Sequence, residues 1–324
     1  MVAGKVHIAS GFHTTGTKMK NNKSLGQHWL KNREILDQIA VLSFSGRSSD
    51  PSSRASSLGP RRNCGSPSKD KTAICLEIGP GLGTLTSSLL KRFSEVIAVE
   101  FDQNLAKNLP KSFPGKNLKV INEDILKIDI NEVLMKSQNK PSEEARLGLA
   151  PRSASEDGYS RLPKYVVAGN IPYYITSPII TKFLTSENKP ERIVLLIQKE
   201  VAERIVATTG HHTYLSLFAQ NFASVSLGPV VKRGEFTPPP KVDSQVIVLE
   251  PLKTPKISEK VLNFAKIGFS QPRKKLTANL AHFYHLDKQK PKEALISLNL
   301  SPDCRPSDLS HQDWQKLYDV VSNK

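Results

Sequence analysis

The sequence predicts an α/β fold, in which a doubly wound, mostly parallel sheet of the Rossmann-like type is followed by a small helical domain. Short apolar runs alternate with helical patterns through most of the chain, as in successive βαβ units. After Pro251 the apolar spacing is helical only. The predicted strands are residues 73–78, 96–100, 118–123, 165–169, 193–198 and 244–250, and the predicted helical stretches include residues 85–91, 103–109, 261–267, 276–283 and 314–321.

Composition divides the chain into a flexible N-terminal tail (residues 1–22), a main domain (residues 23–252) and a helical C-terminal domain (residues 253–324). The length is sufficient for each of the two domains to have its own core. Within the main domain, residues 43–71 and 136–164 are polar and contain scattered Pro and Gly. Because such stretches bury too little apolar surface to offset the entropy of ordering them, we predict that both are loop insertions.

The charge balance indicates a polyanionic partner. The chain has 46 Lys and Arg residues against 30 Asp and Glu residues, a formal net charge of +16. Nucleic acid is the first candidate, since each phosphate neutralised by Lys or Arg releases condensed counterions. A basic surface that binds nothing is the alternative that charge alone leaves open.

Membrane insertion, zinc binding and disulfide bonding have little support in the sequence. No apolar run approaches the ~20 residues that span a bilayer. Cys64, Cys75 and Cys304 lack the spacing of a zinc site or a disulfide framework, and His211 and His212 have no companion ligands nearby. The first 20 residues lack the apolar core of a secretory signal. We therefore expect no metal and a cytoplasmic address, with an organellar transit peptide as the alternative.

A glycine-rich loop follows the first predicted strand of the main domain. It contains Glu77, Gly79, Gly81 and Gly83 and precedes a helix, the context in which a nucleotide approaches the backbone closely. The carboxylate of Glu77 would repel a dinucleotide pyrophosphate but suits the ammonium and sulfonium groups of S-adenosylmethionine. The loop thus favours S-adenosylmethionine and methyl transfer over hydride transfer, although glycines that only form a tight turn remain the alternative.

Two acidic residues end the next two predicted strands. Glu100 lies about twenty residues beyond the loop, where a carboxylate accepts hydrogen bonds from both ribose hydroxyls of an adenosine cofactor. Asp124 follows the third strand, at the same edge of the sheet and within reach of an adenine amine. The alternative is that each acid caps a following helix.

The segment Asn170-Ile171-Pro172-Tyr173 follows the fourth predicted strand, at the sheet edge where catalytic groups collect. The N6 lone pair of adenine becomes nucleophilic when hydrogen bonds to its two hydrogens favour tetrahedral geometry. The Asn170 side-chain oxygen and a backbone carbonyl at Ile171 or Pro172 can accept those bonds, with Pro172 holding the turn rigid. Tyr173 offers a stacking face for the base, and Phe236 is a candidate second wall, with core packing as the alternative for both aromatics.

Together these residues resemble the ribosomal RNA adenine dimethyltransferase family, the bacterial kasugamycin-sensitivity enzymes and their eukaryotic relatives, which have the class I methyltransferase fold. The resemblance includes an N-terminal motif at residues 24–30, in which the residues matching His28 and Leu30 contact the cofactor. It extends to residues 198–204, 236–244 and 269–276. In the last of these, Arg273, Lys274 and Lys275 match the family's basic RNA-binding element, although Pro272 replaces a usual Arg.

The resemblance implies transfer of four methyl groups, two to each of two adjacent adenosines in the 3′-terminal hairpin loop of small-subunit (16S) rRNA, within a pre-30S particle. We expect a monomer. The nearest rival is the family of large-subunit adenine methyltransferases that confer macrolide resistance; Tyr174 and residues 239–244 favour the small-subunit enzyme. A binding protein that has kept the fold but not the chemistry is the rival of another class, and the intact Asn170, Tyr173 and glycine loop argue against it.

Overall fold

A twisted sheet with helices on both faces positions the rest of the molecule. The computed structural model describes residues 27–44, 70–138, 162–284, 287 and 289–322. The predicted tail, residues 24–26 of the N-terminal motif and most of both predicted insertions lie outside these residues.

The strands and helices follow the predicted alternation. The strands are β1 Trp29–Leu30, β2 Asp70–Ile78, β3 Phe93–Glu100, β4 Leu118–Asn122, β5 Tyr165–Asn170, β6 Arg192–Gln198, β7 Ala223–Val231, β8 Phe236–Thr237 and β9 Ser244–Pro251. The helices are α1 Arg33–Phe44, α2 Thr84–Leu89, α3 Gln103–Asn108, α4 Ile130–Gln138, α5 Thr176–Thr185, α6 Lys199–Ile205, α7 Tyr214–Phe222, α8 Glu259–Gly268, α9 Leu276–Tyr284, α10 Gln289–Ser297 and α11 His311–Ser322.

Among the described residues, seven strands form the main sheet in the order β4-β3-β2-β5-β6-β9-β7. The first five are parallel, and β9 runs antiparallel to both β6 and β7. From β2 the chain builds outward to β3 and β4 on one side, and to β5 and β6 on the other. The carboxyl ends of β2 and β5 therefore form the topological switch point, where ligands bind in open α/β sheets.

Both faces of the inner parallel strands β2, β3, β5 and β6 are largely buried, which explains their nearly continuous apolar sequences, whereas the edge strand β4 is only partly buried. Leu76 and Ile78 of β2 face a layer that includes α4, α5 and α7. Cys75 of the same strand faces the opposite layer, which contains α1 and α2. The period of two along β2 thus divides its side chains between two separate clusters.

The C-terminal helices pack onto the first of these layers. Fully buried Trp314 of α11 contacts the rings of Phe264 and Phe269, each with centroids 5.9 Å apart. His311 donates from Nε2 to the Leu217 carbonyl of α7 at 2.9 Å. Phe264, Phe269 and Trp314 belong to the same apolar cluster as the sheet residues, so the C-terminal helices are packed continuously with this layer.

The predicted insertions are shorter than expected at their ends. Ser43 and Phe44 complete α1, and Asp70 begins β2, while residues 136–138 complete α4. Ser43 is buried in the helix because its hydroxyl donates to the Ile39 carbonyl at 2.8 Å. A polar composition does not exclude a helix end when the side chain bonds back to its own turn.

Glu77 is an ionisable residue in the interior of β2. Its side chain is buried, and neither carboxylate oxygen has a hydrogen-bond partner among the described residues. Burial raises the pKa of Glu77 to about 8. The nearby Thr86 partly opposes this shift, although its hydroxyl has no hydrogen-bond partner in the described part of the chain, and the negative charge of Glu100 adds to the shift. Glu77 therefore retains its proton in the folded state to far higher pH than in the unfolded chain.

The burial of Glu77 predicts that the free energy of unfolding depends on pH. Between about pH 4.5 and pH 8 the unfolded chain loses the Glu77 proton while the folded protein keeps it, so stability falls as pH rises. We expect Glu77→Gln to become stabilising relative to wild type across this window, by on the order of a few kcal/mol at pH 8. Urea unfolding at pH 4.5 and pH 8, with exposed Glu187→Gln as control, measures the difference. An equal effect of Glu77→Gln at both pH values would contradict it.

Candidate active site

A cavity of about 280 Å³ opens at the switch point. Its lining comes from the N-terminal segment, the glycine loop, the ends of β3 and β4, and the segment after β5. The lining residues are Gln27, His28, Trp29, Ile78, Gly79, Pro80, Gly81, Thr84, Leu85, Val99, Glu100, Phe101, Glu123, Asp124, Ile125, Leu126, Asn170, Ile171, Pro172, Tyr173, Tyr174 and Ile175.

The glycine loop requires glycine both for its backbone conformation and for close packing of neighbouring side chains. Gly79, Gly81 and Gly83 have φ values of +63°, +56° and +81°, in the region that L side chains rarely adopt. A Cβ on Gly81 would lie 3.0 Å from the Trp29 indole at the cavity wall. Gly83 does not line the cavity; a Cβ there would lie 2.7 Å from Leu109 and Phe113. Gly81 therefore lets the Trp29 indole pack against the loop at the cavity wall, whereas Gly83 allows the packing of Leu109 and Phe113 behind it.

Glu100 fastens the glycine loop to the end of β3. One carboxylate oxygen accepts the Gly81 N–H at 3.0 Å, and the other accepts the Asp102 N–H at 2.9 Å. Burial raises the pKa of Glu100, and these hydrogen bonds oppose the shift. The cap of α3 is Asp102, whose side chain accepts from Asn104 and Leu105. The helix-capping alternative is therefore wrong for Glu100, which lies in the cavity wall.

Asp124 lies on the turn after β4 and also lines the cavity. Its Oδ1 accepts the Leu126 N–H at 3.0 Å. One carboxylate oxygen thus closes a turn and does not cap a helix, since the next helix begins at Ile130, while Oδ2 has no partner among the described residues. A single Asp can stabilise this turn and still present an acceptor to a ligand.

Asn170 has a fixed side-chain orientation at the end of β5. Its Nδ2 donates to the His28 carbonyl at 2.9 Å. Because a carbonyl accepts only from the amide nitrogen, the contact identifies which end of the amide faces His28. Oδ1 is thereby left as an acceptor. The Pro172 carbonyl accepts the Ile175 N–H at 3.2 Å, so the Ile171 carbonyl is the freer of the two backbone candidates.

Tyr173 is held from two sides. Its hydroxyl bonds to buried Ser244 at 2.8 Å, and its ring stacks on His28 with centroids 6.3 Å apart and planes 22° apart. His28 in turn donates from Nδ1 to the Pro238 carbonyl at 2.8 Å. Burial raises the pKa of the Tyr173 hydroxyl. The ring therefore has a defined orientation in the cavity wall.

Four of the predicted catalytic and cofactor-binding residues do not line the cavity: Leu30, Glu77, Gly83 and Phe236. Phe236 pairs with Leu30 in the two-stranded ladder of β1 and β8, and both side chains are buried in the layer beside α1. The prediction that Phe236 forms a second wall of the cavity is therefore wrong, and the core-packing alternative holds.

The sequence interpretation missed two exposed aromatic side chains in the cavity lining. Phe101 and Tyr174 are 62% and 66% exposed. Phe101 directly follows Glu100 at the end of β3, and Tyr174 follows Tyr173. The signal in the sequence was an aromatic residue directly after a functional residue that ends a strand. Such a side chain lies past the end of the strand, where it is not packed into the core.

The predicted RNA contacts lie apart from the cavity. Arg273, Lys274 and Lys275 are exposed in the loop before α9, and Lys275 forms a salt bridge with Asp303 at 2.7 Å. Of the two histidines weighed as ligands, His212 is buried and packs edge-on against His311. The described residues contain no cluster of three side chains that could hold a metal ion. They also include no helix with the length and apolarity needed to cross a membrane.

Comparisons with known proteins agree with this geometry. The sequence profile of the family described as "Ribosomal RNA adenine dimethylase" matches residues 18–320. The protein named "Ribosomal RNA small subunit methyltransferase A" in Dehalococcoides mccartyi is 34% identical over 307 residues, which are 93% of this chain and 89% of that protein.

Two solved structures share the architecture. A dimethyladenosine transferase from Plasmodium falciparum superposes with a TM-score of 0.63 at 25% identity, over 91% of this chain and 97% of the other. The 23S rRNA methyltransferase ErmE reaches 0.59 at 21% identity, over 91% and 99%, and shows the fold alone. The profile match over nearly the whole chain, with a relative above 30% identity, places this chain in the ribosomal RNA adenine dimethylase family.

Proposed function

We propose that this protein dimethylates N6 of two adjacent adenosines in the 3′-terminal hairpin loop of small-subunit rRNA during ribosome biogenesis. The observation that carries the proposal is the Asn170 amide, which His28 orients so that Oδ1 remains an acceptor inside the cavity. Membership of the family makes the chain a methyltransferase that uses S-adenosylmethionine. The substrate and the role of each residue are the proposed part.

The cavity residues fit this methyl donor. S-adenosylmethionine supplies an electrophilic methyl group on a sulfonium. Each oxygen of Glu100 accepts one backbone N–H, so lone pairs remain for two ribose hydroxyls. Phe101 and Ile125 offer apolar faces for the adenine, and Asp124 Oδ2 can accept from its amine. The glycine loop and Trp29, which pack closely at Gly81, form the wall beside which the amino-acid part would lie.

Glu77 has a less direct role in this proposal than its sequence position indicated. It lies beneath the glycine loop and does not line the cavity. Direct contact with the ammonium group of the donor is therefore not part of the proposal. A cation in the cavity would instead favour the ionised form of Glu77 through the intervening loop, which lowers its pKa on binding.

The target adenine is activated by hydrogen bonding rather than by a charged base. Asn170 Oδ1 accepts one N6 hydrogen and the Ile171 carbonyl accepts the other, which favours tetrahedral geometry at the nitrogen. Tyr173, fixed by Ser244 and His28, stacks on the extruded base. The amine becomes acidic as it is alkylated and loses its proton to water. The rate then depends on holding the reacting atoms about 3 to 3.5 Å apart.

Small-subunit rRNA is the proposed substrate because the relative that matches over most of the chain is named as a small-subunit methyltransferase. The Dehalococcoides mccartyi protein is named for the small subunit and matches over most of both chains, whereas likeness to the 23S enzyme is a likeness of fold. Within this proposal the enzyme is a cytoplasmic monomer that binds a pre-30S particle, and residues 253–324 contribute RNA contacts. Mapping N6,N6-dimethyladenosine in rRNA from cells with and without the gene tests it; marks that persist in both would refute it.

Glu100 and Asn170 should affect different steps. Ribose hydrogen bonds to Glu100 are equal in ground and transition states, so Glu100→Ala should weaken S-adenosylmethionine binding and regain much of its rate at saturation. The Asn170 contact strengthens during methyl transfer, so Asn170→Ala should bind the donor nearly normally and lose on the order of 10²-fold in turnover. Calorimetry and single-turnover methylation measure the two effects. An Asn170→Ala enzyme with weak donor binding and a normal saturated rate would contradict the catalytic role.

The basic loop before α9 should contribute to the salt dependence of RNA binding. Arg273 and Lys274 form no ion pair with any described residue, whereas Lys275 already pairs with Asp303. Neutralising Arg273 and Lys274 to Gln should reduce the slope of log K against log salt by about two, and Lys275→Gln should reduce it less. Filter binding to unmethylated small subunits at several salt concentrations gives the slopes. No change in the double variant would rule out phosphate contacts by this loop.

A further inference from the structure

The turn after β4 carries Asp124 into the cavity and has backbone groups that its own hydrogen bonds do not satisfy. The Asp124 carbonyl accepts the N–H groups of Lys127 and Ile128 at 2.9 and 3.2 Å. Its side chain accepts the Leu126 N–H. These bonds close the turn internally, yet the carbonyls of Leu126 and Ile128 need donors from elsewhere.

Lys182 of α5 supplies both. Its ammonium group donates to the Leu126 carbonyl at 3.2 Å and to the Ile128 carbonyl at 2.8 Å, across more than fifty residues of sequence. Lys182 is half-buried and forms no salt bridge within the described part of the chain. The charged ammonium group therefore donates to two neutral carbonyls of one turn. Such charge-assisted hydrogen bonds are stronger than hydrogen bonds between neutral groups.

The position of α5 gives this contact a consequence for the site. The helix begins at Thr176, just after the segment of Asn170 and Tyr173, and its apolar face is fully buried in the same cluster as Ile125 of the turn. Lys182 therefore connects the helix behind the target-base residues to the turn that bears Asp124. The connection thus joins the two sides of the cavity at the Asp124 end.

We propose that Lys182 is a positioning residue for donor binding: by holding the Leu126 and Ile128 carbonyls, it keeps Asp124 and Ile125 in place against the adenine of S-adenosylmethionine. The inference rests on the proposed function of this cavity. Lys182 acts through the turn and touches no reacting group, so its removal should affect donor affinity far more than the saturated rate.

A double-mutant cycle distinguishes this role from general stabilisation. Lys182→Met keeps most of the side-chain volume and removes the ammonium. We expect it to weaken S-adenosylmethionine binding about tenfold by calorimetry, while turnover at saturating donor stays within about threefold of wild type. Combined with Asp124→Ala, it should add little to the loss caused by Asp124→Ala alone, because both changes remove the same interaction.

Two further variants complete the experiment. Lys189→Met is the matched control: Lys189 is also half-buried, and its ammonium lies 5.4 Å from the Phe222 ring, outside the cavity lining. It should leave donor affinity unchanged. If Lys182→Met does not fold, Lys182→Gln replaces it with the same expectations for affinity and for the cycle.

The outcomes separate this inference from the function it rests on. Normal affinity in Lys182→Met, with weakened affinity in Asp124→Ala, would overturn the role of Lys182 and leave the site intact. Losses that simply add in the double variant would also overturn it, since they would show independent effects. Normal affinity in Asp124→Ala would instead refute the donor-binding role of this turn, and with it the inference.

Discussion

The hydrogen bond from the Asn170 amide to the His28 carbonyl joins the two halves of the cavity, while the β1–β8 ladder anchors the N-terminal segment. Asn170 ends the central strand β5, and His28 belongs to the N-terminal segment that forms the opposite wall. The same segment places Trp29 against Gly81 and the His28 ring against Tyr173. One interaction thus links the donor side to the target-base side, and it uses the nitrogen of the amide while leaving the oxygen for chemistry.

The short ladder of β1 and β8 supports this contact from behind. Leu30 and Phe236 are paired and buried, so their side chains anchor the segment in the layer beside α1. The Pro238 carbonyl and Ser244 hydroxyl, both beyond β8, then fix His28 and Tyr173. The residues that the sequence assigns to the site therefore fall into two groups. Some line the cavity, and others hold the lining residues in place.

Sequence alone could predict the parallel strands, the glycine loop and the strand-ending residues Glu100, Asp124 and Asn170, because chemistry and periodicity coincide there. It could not separate Phe236 from Phe101, since apolar composition does not say which side chain lies beyond the core. Edge strand β7 was missed because Ser, Gly and Pro interrupt its pattern. The role of Lys182 could not be predicted, because a single lysine in an amphipathic helix does not indicate which backbone groups it will contact.

The atom that receives the methyl group tests the account most directly. Purified protein, S-adenosylmethionine and unmethylated small subunits should yield N6-methyladenosine early and N6,N6-dimethyladenosine later, as measured by mass spectrometry of the nucleosides. This result follows if Asn170 Oδ1 and the Ile171 carbonyl accept the two hydrogens of an exocyclic amine. Methylation at a ring nitrogen or a ribose hydroxyl, with no product at N6, would contradict the arrangement of the site described above.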